Sequence, residues 1–366
     1  MPIEASAKPA TAATHPVAAR RILRLALGTS LCLLFSQVLN WPLSYIAPVL
    51  TLVILALPLP PPGLKQGIVF IIALLTPMIL GGMILLPFLE QSRAVGILLV
   101  ALGLFYTFYY TARGGQPVLG TFMTVGLTII VTIGSVSSEI ISVLIKSLGT
   151  CAAVAIFFVW IAHTLLPELP PDPALAGMKK KAAPPRPDPS SAGRLALRSL
   201  AIVFPMALLF LFMSGSPAYT VVMLKVATMG QQATADHSRA MGRSLVESTL
   251  WGGLGAVVAW NVLQVWPSLL MYTLLVGLAG LIYGRWIFQG PAVHPKFQMV
   301  SYAYLTMIVI LAPAVLDGAG GSSAGIAFSN RIILFLLIAV YGTLAVAVFD
   351  AFWPEKSQDP QLLKAP

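Results

Sequence analysis

Apolar runs close to the length of a bilayer crossing recur along this chain from residue 25 to residue 350, separated by short polar or proline-rich connections. A helix rises 1.5 Å per residue, so about 20 apolar residues cover the roughly 30 Å of hydrocarbon in a bilayer. That recurrence restricts the chain to an all-α, polytopic membrane bundle. Composition points the same way. Only 9% of the 366 residues are Asp, Glu, Lys or Arg, 58% are hydrophobic, and mean hydropathy is +0.89. Soluble domains carry about 25% charged residues. So little charge cannot cover a water-facing surface, which excludes a soluble enzyme. Disorder is excluded too, because disordered chains are poor in apolar residues.

The runs fall at 25–39, 45–57, 67–88, 94–111, 117–133 and 140–165, then at 195–213, 217–230, 244–265, 268–284, 297–316 and 326–350. That makes twelve expected helices, six on each side of a segment different in kind. Residues 167–193 hold eight prolines and the run Lys179-Lys180-Lys181, the composition of a solvated, semi-rigid linker. Residues 1–19, rich in Ala, Pro and Thr, and residues 355–366 read as tails. Arg20-Arg21 resembles a twin-arginine export signal, but no small-residue cleavage site follows, so 25–39 is read as an uncleaved first span. Cys32 and Cys151 both lie in apolar runs, where neither a disulfide framework nor a thiolate metal site is expected.

The formal net charge of +10 is mainly a topology signal. With Arg20, Arg21 and Arg24 on the cytoplasmic side, alternation places Lys65, Arg113, the 179–186 cluster, Arg194, Arg198, Arg239, Arg243, Arg285, Lys296, Lys356 and Lys364 there as well. Only Arg93 and Arg331 fall outside, as the positive-inside bias requires. Both termini and the linker are therefore expected in the cytoplasm, and the basic excess does not argue for nucleic acid.

The second block of six reads as a divergent copy of the first. Leu23-Arg24 recurs as Leu197-Arg198 and Ser44-Tyr45 as Ala218-Tyr219; Phe122 and Val125 recur as Phe297 and Val300. Each copy opens with a basic residue, turns at a proline (Trp41-Pro42; Ser216-Pro217), and closes on aromatics and proline (157–160 with Pro167; 349–353 with Pro354). Six spans per copy is an even number, so the copies share one orientation: a parallel repeat with its axis along the membrane normal. Repeat domains at 20–166 and 194–354 follow.

This layout resembles the fusaric acid resistance and aromatic acid exporter superfamily of bacterial inner-membrane proteins. The resemblance rests on the Leu-Arg openings at 23–27 and 197–201 and on the short Pro/Tyr hairpins. It rests also on the basic stretch 239–249 leading into Trp251-Gly252-Gly253. It covers about residues 20–354, without the large soluble cytoplasmic domain of the longer exporters. It implies an efflux component for small organic anions, aromatic acids among them, working beside a periplasmic membrane-fusion adaptor.

Intramembrane charge is a functional hypothesis by default, since a charged side chain at mid-bilayer costs roughly 2.5 kcal/mol or more. Lys225 lies near the middle of its short span, where an ammonium facing a cavity suits an anionic substrate; snorkelling to the span end is the bland alternative. Glu139 and Lys146 stand seven apart on one helix face and are candidates for lining the path. Arg331 sits near the outer end of the last span, as an anion attractor or a headgroup anchor. Glu247, four residues after Arg243, and Asp317 are the proton-coupling candidates; for Glu247 an i,i+4 ion pair is the structural alternative.

No Gly-x-x-x-x-Gly-Lys-Ser/Thr motif occurs, so the proton motive force is the expected driver. His15, His163, His237 and His294 are scattered, and neither a metal, a cofactor nor an enzymatic grouping is expected. Tyr106, Tyr109, Tyr110, Tyr283 and Trp286 read as an interfacial belt or as a stacking surface for an aromatic substrate. The sequence thus points to an exporter of small organic anions. A passive anion channel and a non-transporting scaffold for an adaptor protein stay open.

Overall fold

In hydrocarbon a backbone must satisfy its own N–H and C=O groups, so each apolar run closes into a helix. The computed structural model describes residues 16–133, 138–169, 188–212, 217–235, 241–289, 292–294, 296–316 and 324–353. Before the linker come α1 (Pro16–Leu39), α2 (Ile46–Leu55) and α3 (Leu64–Leu80). A π turn (Gly81–Leu85) leads from α3 into α4 (Leu86–Gln91), followed by α5 (Arg93–Ala112), α6 (Pro117–Ile133) and α7 (Ser138–Leu165). After it come α8 (Pro189–Phe212), α9 (Pro217–Ala235), α10 (Met241–Val265), α11 (Leu269–Ile287), α12 (Phe297–Leu316) and α13 (Ala324–Phe352). The one ladder among the described residues is Phe288–Gln289 antiparallel to Ala292–Val293. Among the described residues eight helices are long and apolar enough to cross a membrane, with α2 and 117–130 apolar but shorter. The protein is a multi-pass α-helical membrane protein.

Each expected run has a helix over it, with shifted ends. α1 begins at Pro16, inside the expected tail, and α8 begins at Pro189, inside the expected linker. Proline favours a first helical turn because its φ is already set and its missing N–H is not needed there; α6 starts on Pro117 for the same reason. The third run is bent by Pro77, which cannot bond back to the preceding turn. The ladder recovers through the π turn at Gly81 before α4. At the α1–α2 turn Asn40 and Leu43 have positive φ (46° and 58°). α7 holds that turn: Ser147 donates to the Pro42 carbonyl, and the Trp41 indole donates to Cys151 Sγ at 3.1 Å.

One pairing scheme occurs on both sides of the linker. In the first half α1, α2 and α7 pack on one another, α3 packs on α6 and α7, and α5 on α6. In the second half α8, α9 and α13 do the same, α10 packs on α12 and α13, and α11 on α12. The contacts between halves are reciprocal as well: α1 packs on α11 and α5 on α8, while α2 packs on α12 and α6 on α9. Glycine permits the closest of these approaches. A Cβ on Gly126 of α6 would lie 2.2 Å from the Leu74 carbonyl of α3, and one on Gly252 of α10 would lie 2.4 Å from the Ala303 carbonyl of α12.

The start of α1 and the end of α7 meet at one end of the bundle, where Arg20 donates to the Pro167 carbonyl and Arg24 pairs with Glu168 at 3.5 Å. The start of α8 and the end of α13 meet likewise: Arg194 and Arg198 pair with the two oxygens of Asp350 at 2.9 and 3.1 Å. These contacts tie the two ends of the linker segment to the start of α1 and the end of α13. The Lys179–Lys181 run, Arg239 and Asp317 lie outside the described residues.

Candidate functional site

Lys225 is the ninth residue of the 19-residue α9, about 12 Å from one helix end and about 15 Å from the other at 1.5 Å per residue. It is 1% exposed, between the fully buried Leu224 and Val226. Its side chain does not snorkel along α9. It runs sideways to α12, where Nζ donates to Thr306 Oγ1 at 2.7 Å. Thr306, also at the middle of its helix, in turn donates to the Tyr302 carbonyl at 2.7 Å. An ammonium carries three donors, and among the described residues no carboxylate forms an ion pair with this one. One hydroxyl oxygen cannot offset removing a full positive charge from water, a cost of several kcal/mol.

Tyr302 and Leu305, the neighbours of Thr306 along α12, line a cavity of about 150 Å³. It lies between α2 and α6 of the first half and α9 and α12 of the second, toward the linker side. Thr111, Thr121, Gln231, Gln298 and Ser301 give it a neutral polar lining beside the apolar Leu52, Val53, Ala56 and Val118. Gln231 is its anchored corner. Nε2 donates to the Gly120 carbonyl at 3.1 Å and to Thr124 Oγ1 at 2.5 Å, and Oε1 accepts from Thr111 at 3.2 Å. Thr124 also reaches Thr107 at 3.4 Å. One amide from α9 thereby ties α5 and α6 to the second half. Gly120 makes room for it, since a Cβ there would strike Thr111 Oγ1 at 2.0 Å.

The other candidates are scattered. Lys146 is exposed on the outer face of α7, and the following run 147–165 holds no Asp, Glu, Lys or Arg. That run is about as long as the hydrocarbon layer is thick, so Lys146 marks its outer limit. Glu139 lies in the first turn of α7, its side chain outside the described residues. Arg331, half-buried on α13, is near enough to the α1–α2 turn to act electrostatically on the Tyr45 phenol. Glu247 forms its i,i+4 pair with Arg243 at 2.6 Å and reaches Lys296, before α12, at 3.5 Å. Among the described residues no group of three His, Cys, Asp or Glu could hold a metal. Tyr283 is no surface belt residue: it is buried, stacks on Tyr304 and donates to the Trp251 carbonyl at 2.7 Å.

Sequence reasoning passed over Thr306, Gln231 and the roles of Arg24 and Arg198. Nothing in the sequence singles out Thr306 or Gln231, since one hydroxyl or amide in an apolar helix is ordinary. The arginines were legible as a recurring Leu-Arg pair. At 4% and 2% exposure both are buried ion-pair partners in addition to marking topology.

A family model described as a protein of unknown function (DUF2955) matches residues 21–162, from the first turns of α1 to near the end of α7. It covers less than half of the chain and leaves the second half unmatched. No curated protein matches the chain, and no solved structure does.

Proposed function

We propose that this chain is the transport subunit of an exporter for small organic anions, aromatic carboxylic acids among them, in a bacterial inner membrane. The observation that carries the reading is Lys225: a mid-span ammonium, 1% exposed, held by one hydroxyl and facing no described carboxylate. A desolvated carboxylate is the partner that such a group lacks. The adjoining cavity between the halves supplies neutral hydrogen-bonding groups and apolar walls for the rest of a small molecule.

The reading includes twelve spans in two parallel six-helix repeats, for which the reciprocal packing of the halves is the support. It places both termini and the linker in the cytoplasm, because the ion-paired ends of α1, α7, α8 and α13 share the side on which the basic residues concentrate. A periplasmic membrane-fusion adaptor as partner and the proton motive force as driver follow from the resemblance to the aromatic acid exporters. A proton-coupling role for Glu247 requires its two ion pairs to open during the cycle.

Efflux of a radiolabelled aromatic acid from loaded cells tests the assignment. Lys225→Ala abolishes export while the protein still inserts at wild-type level; unchanged export overturns it. Lys225-dependent conductance in the absence of a pH gradient assigns a passive anion channel instead.

A further inference from the structure

A second cavity, of about 440 Å³, lies wholly within the first half, between α3, α5 and α6. It lies beside the interrupted third helix. Pro77 and Gly81 line it, and beyond the π turn that begins at Gly81 the chain packs back on α5 through α4. Gly103, at the middle of α5, forms another wall, where a Cβ would lie 2.9 Å from Leu127 Cδ2. Leu80, Ile84 and Tyr106 on its rim are exposed, so the cavity is a cleft open to the outside of the bundle. Its lining is almost entirely apolar. In the second half, Tyr283 of α11 bonds across the equivalent corner to the Trp251 carbonyl of α10 at 2.7 Å.

We propose that this cleft is a binding site for one acyl chain of a membrane phospholipid. A cleft opening at the mid-depth of spanning helices meets hydrocarbon, and an apolar lining gives water nothing to bond. Left empty, it would forfeit the dispersion contacts of its walls. A slender unbranched chain is the membrane component that can enter between two helices. The volume lies within the range of ordinary ligand sites. The inner wall of the cleft gives the site a consequence. Thr107 lines it, and Thr107 is bonded through Thr124 to Gln231, the residue that joins the two halves. A seated chain buttresses that junction from the membrane side. The site rests on the membrane reading alone and is independent of what the chain transports.

The test uses the full chain in vesicles of phosphatidylethanolamine and phosphatidylglycerol. A small fraction of a phospholipid carries a photoactivatable diazirine at mid-chain, and adducts are mapped by mass spectrometry. Adducts concentrate on Tyr106 and Met123, above the level at Leu98, which faces outward on α5 away from the cleft. Leu99→Trp, which fills the cleft from its α5 wall, lowers those adducts about tenfold, whereas Leu98→Trp leaves them unchanged. Gly103→Leu has the same effect as Leu99→Trp if it folds, and Leu99→Trp stands alone if it does not. Adducts spread evenly over the outward faces of α3 and α5 overturn the site. So does displacement of the adducts by octanoate, which assigns the cleft to a membrane-dissolved solute rather than a lipid.

Discussion

The two halves of the chain share a packing scheme and part company at mid-span. In both, an arginine on the opening helix reaches a carboxylate at the end of the closing one: Arg24 with Glu168, Arg198 with Asp350. In both, the second helix carries a polar residue in its middle, although α2 has 10 residues and α9 has 19. In the first half this is Thr51, whose hydroxyl is spent on the Ala47 carbonyl at 2.9 Å and on Cys32 Sγ at 3.2 Å. In the second it is Lys225, which crosses to α12. A hydroxyl bonded to its own helix stabilises a scaffold and asks for nothing more. An ammonium with unused donors demands a partner. What the halves have in common therefore builds the bundle, and their differences mark where chemistry enters.

The largest expected effect comes from exchanging the two residues. Thr51→Lys combined with Lys225→Thr does not restore export and destabilises the protein by about 3 kcal/mol, because α2 offers a buried lysine no acceptor beyond its own backbone. Thermal unfolding in detergent and an efflux assay read the two effects; recovered export would make the halves interchangeable. Next come the terminal ion pairs. Asp350→Asn withdraws the charge that pairs with both Arg194 and the buried Arg198 and costs about 3 kcal/mol. Glu168→Gln costs about 0.5 kcal/mol, since that carboxylate is 44% exposed and 3.5 Å away. Equal losses in a denaturation series would refute the asymmetry.

Gln231→Leu removes the amide between the halves and its bonds to the Gly120 carbonyl, Thr124 and Thr111, for about 1 kcal/mol, since Thr124 still donates to the Gly120 carbonyl. Faster amide exchange in both α6 and α9 is its signature; exchange confined to α9 would mean that the amide joins nothing. The smallest change is Thr51→Val, about 0.5 kcal/mol with export intact. Thr306→Val is its sharpening counterpart: it costs more, about 2 kcal/mol, because the buried Lys225 loses its acceptor, and export falls about tenfold. Matching export in the two valine variants would remove Thr306 from the site.

How far the fold was legible shows in particular residues. Runs of apolar residues placed every helix, and Pro117 and Pro217 even marked where α6 and α9 begin. The Leu-Arg pairs identified equivalent positions in the two halves. Lys225 stood out because charge is rare and costly in a span. Lys146 stood out by the same rule, yet it lies on the outer face. The rule registers that a charge is present and says nothing about the direction it faces.

That limit has a physical cause. Along this chain the sequence by itself determined that it is a multi-pass bundle of apolar helices and roughly where each apolar run lies, because burial in hydrocarbon is a property of local composition. In water a 3.6-residue period of apolar positions would also reveal which face of each helix is inward. In a membrane both the lipid side and the protein side are apolar, so the period carries little of that information. Helix rotation was left to tertiary structure. Packing alone decided that Lys225 meets Thr306, that Gln231 ties α9 to α5 and α6, that Lys146 faces out, and that a cleft opens beside Pro77 in the first half.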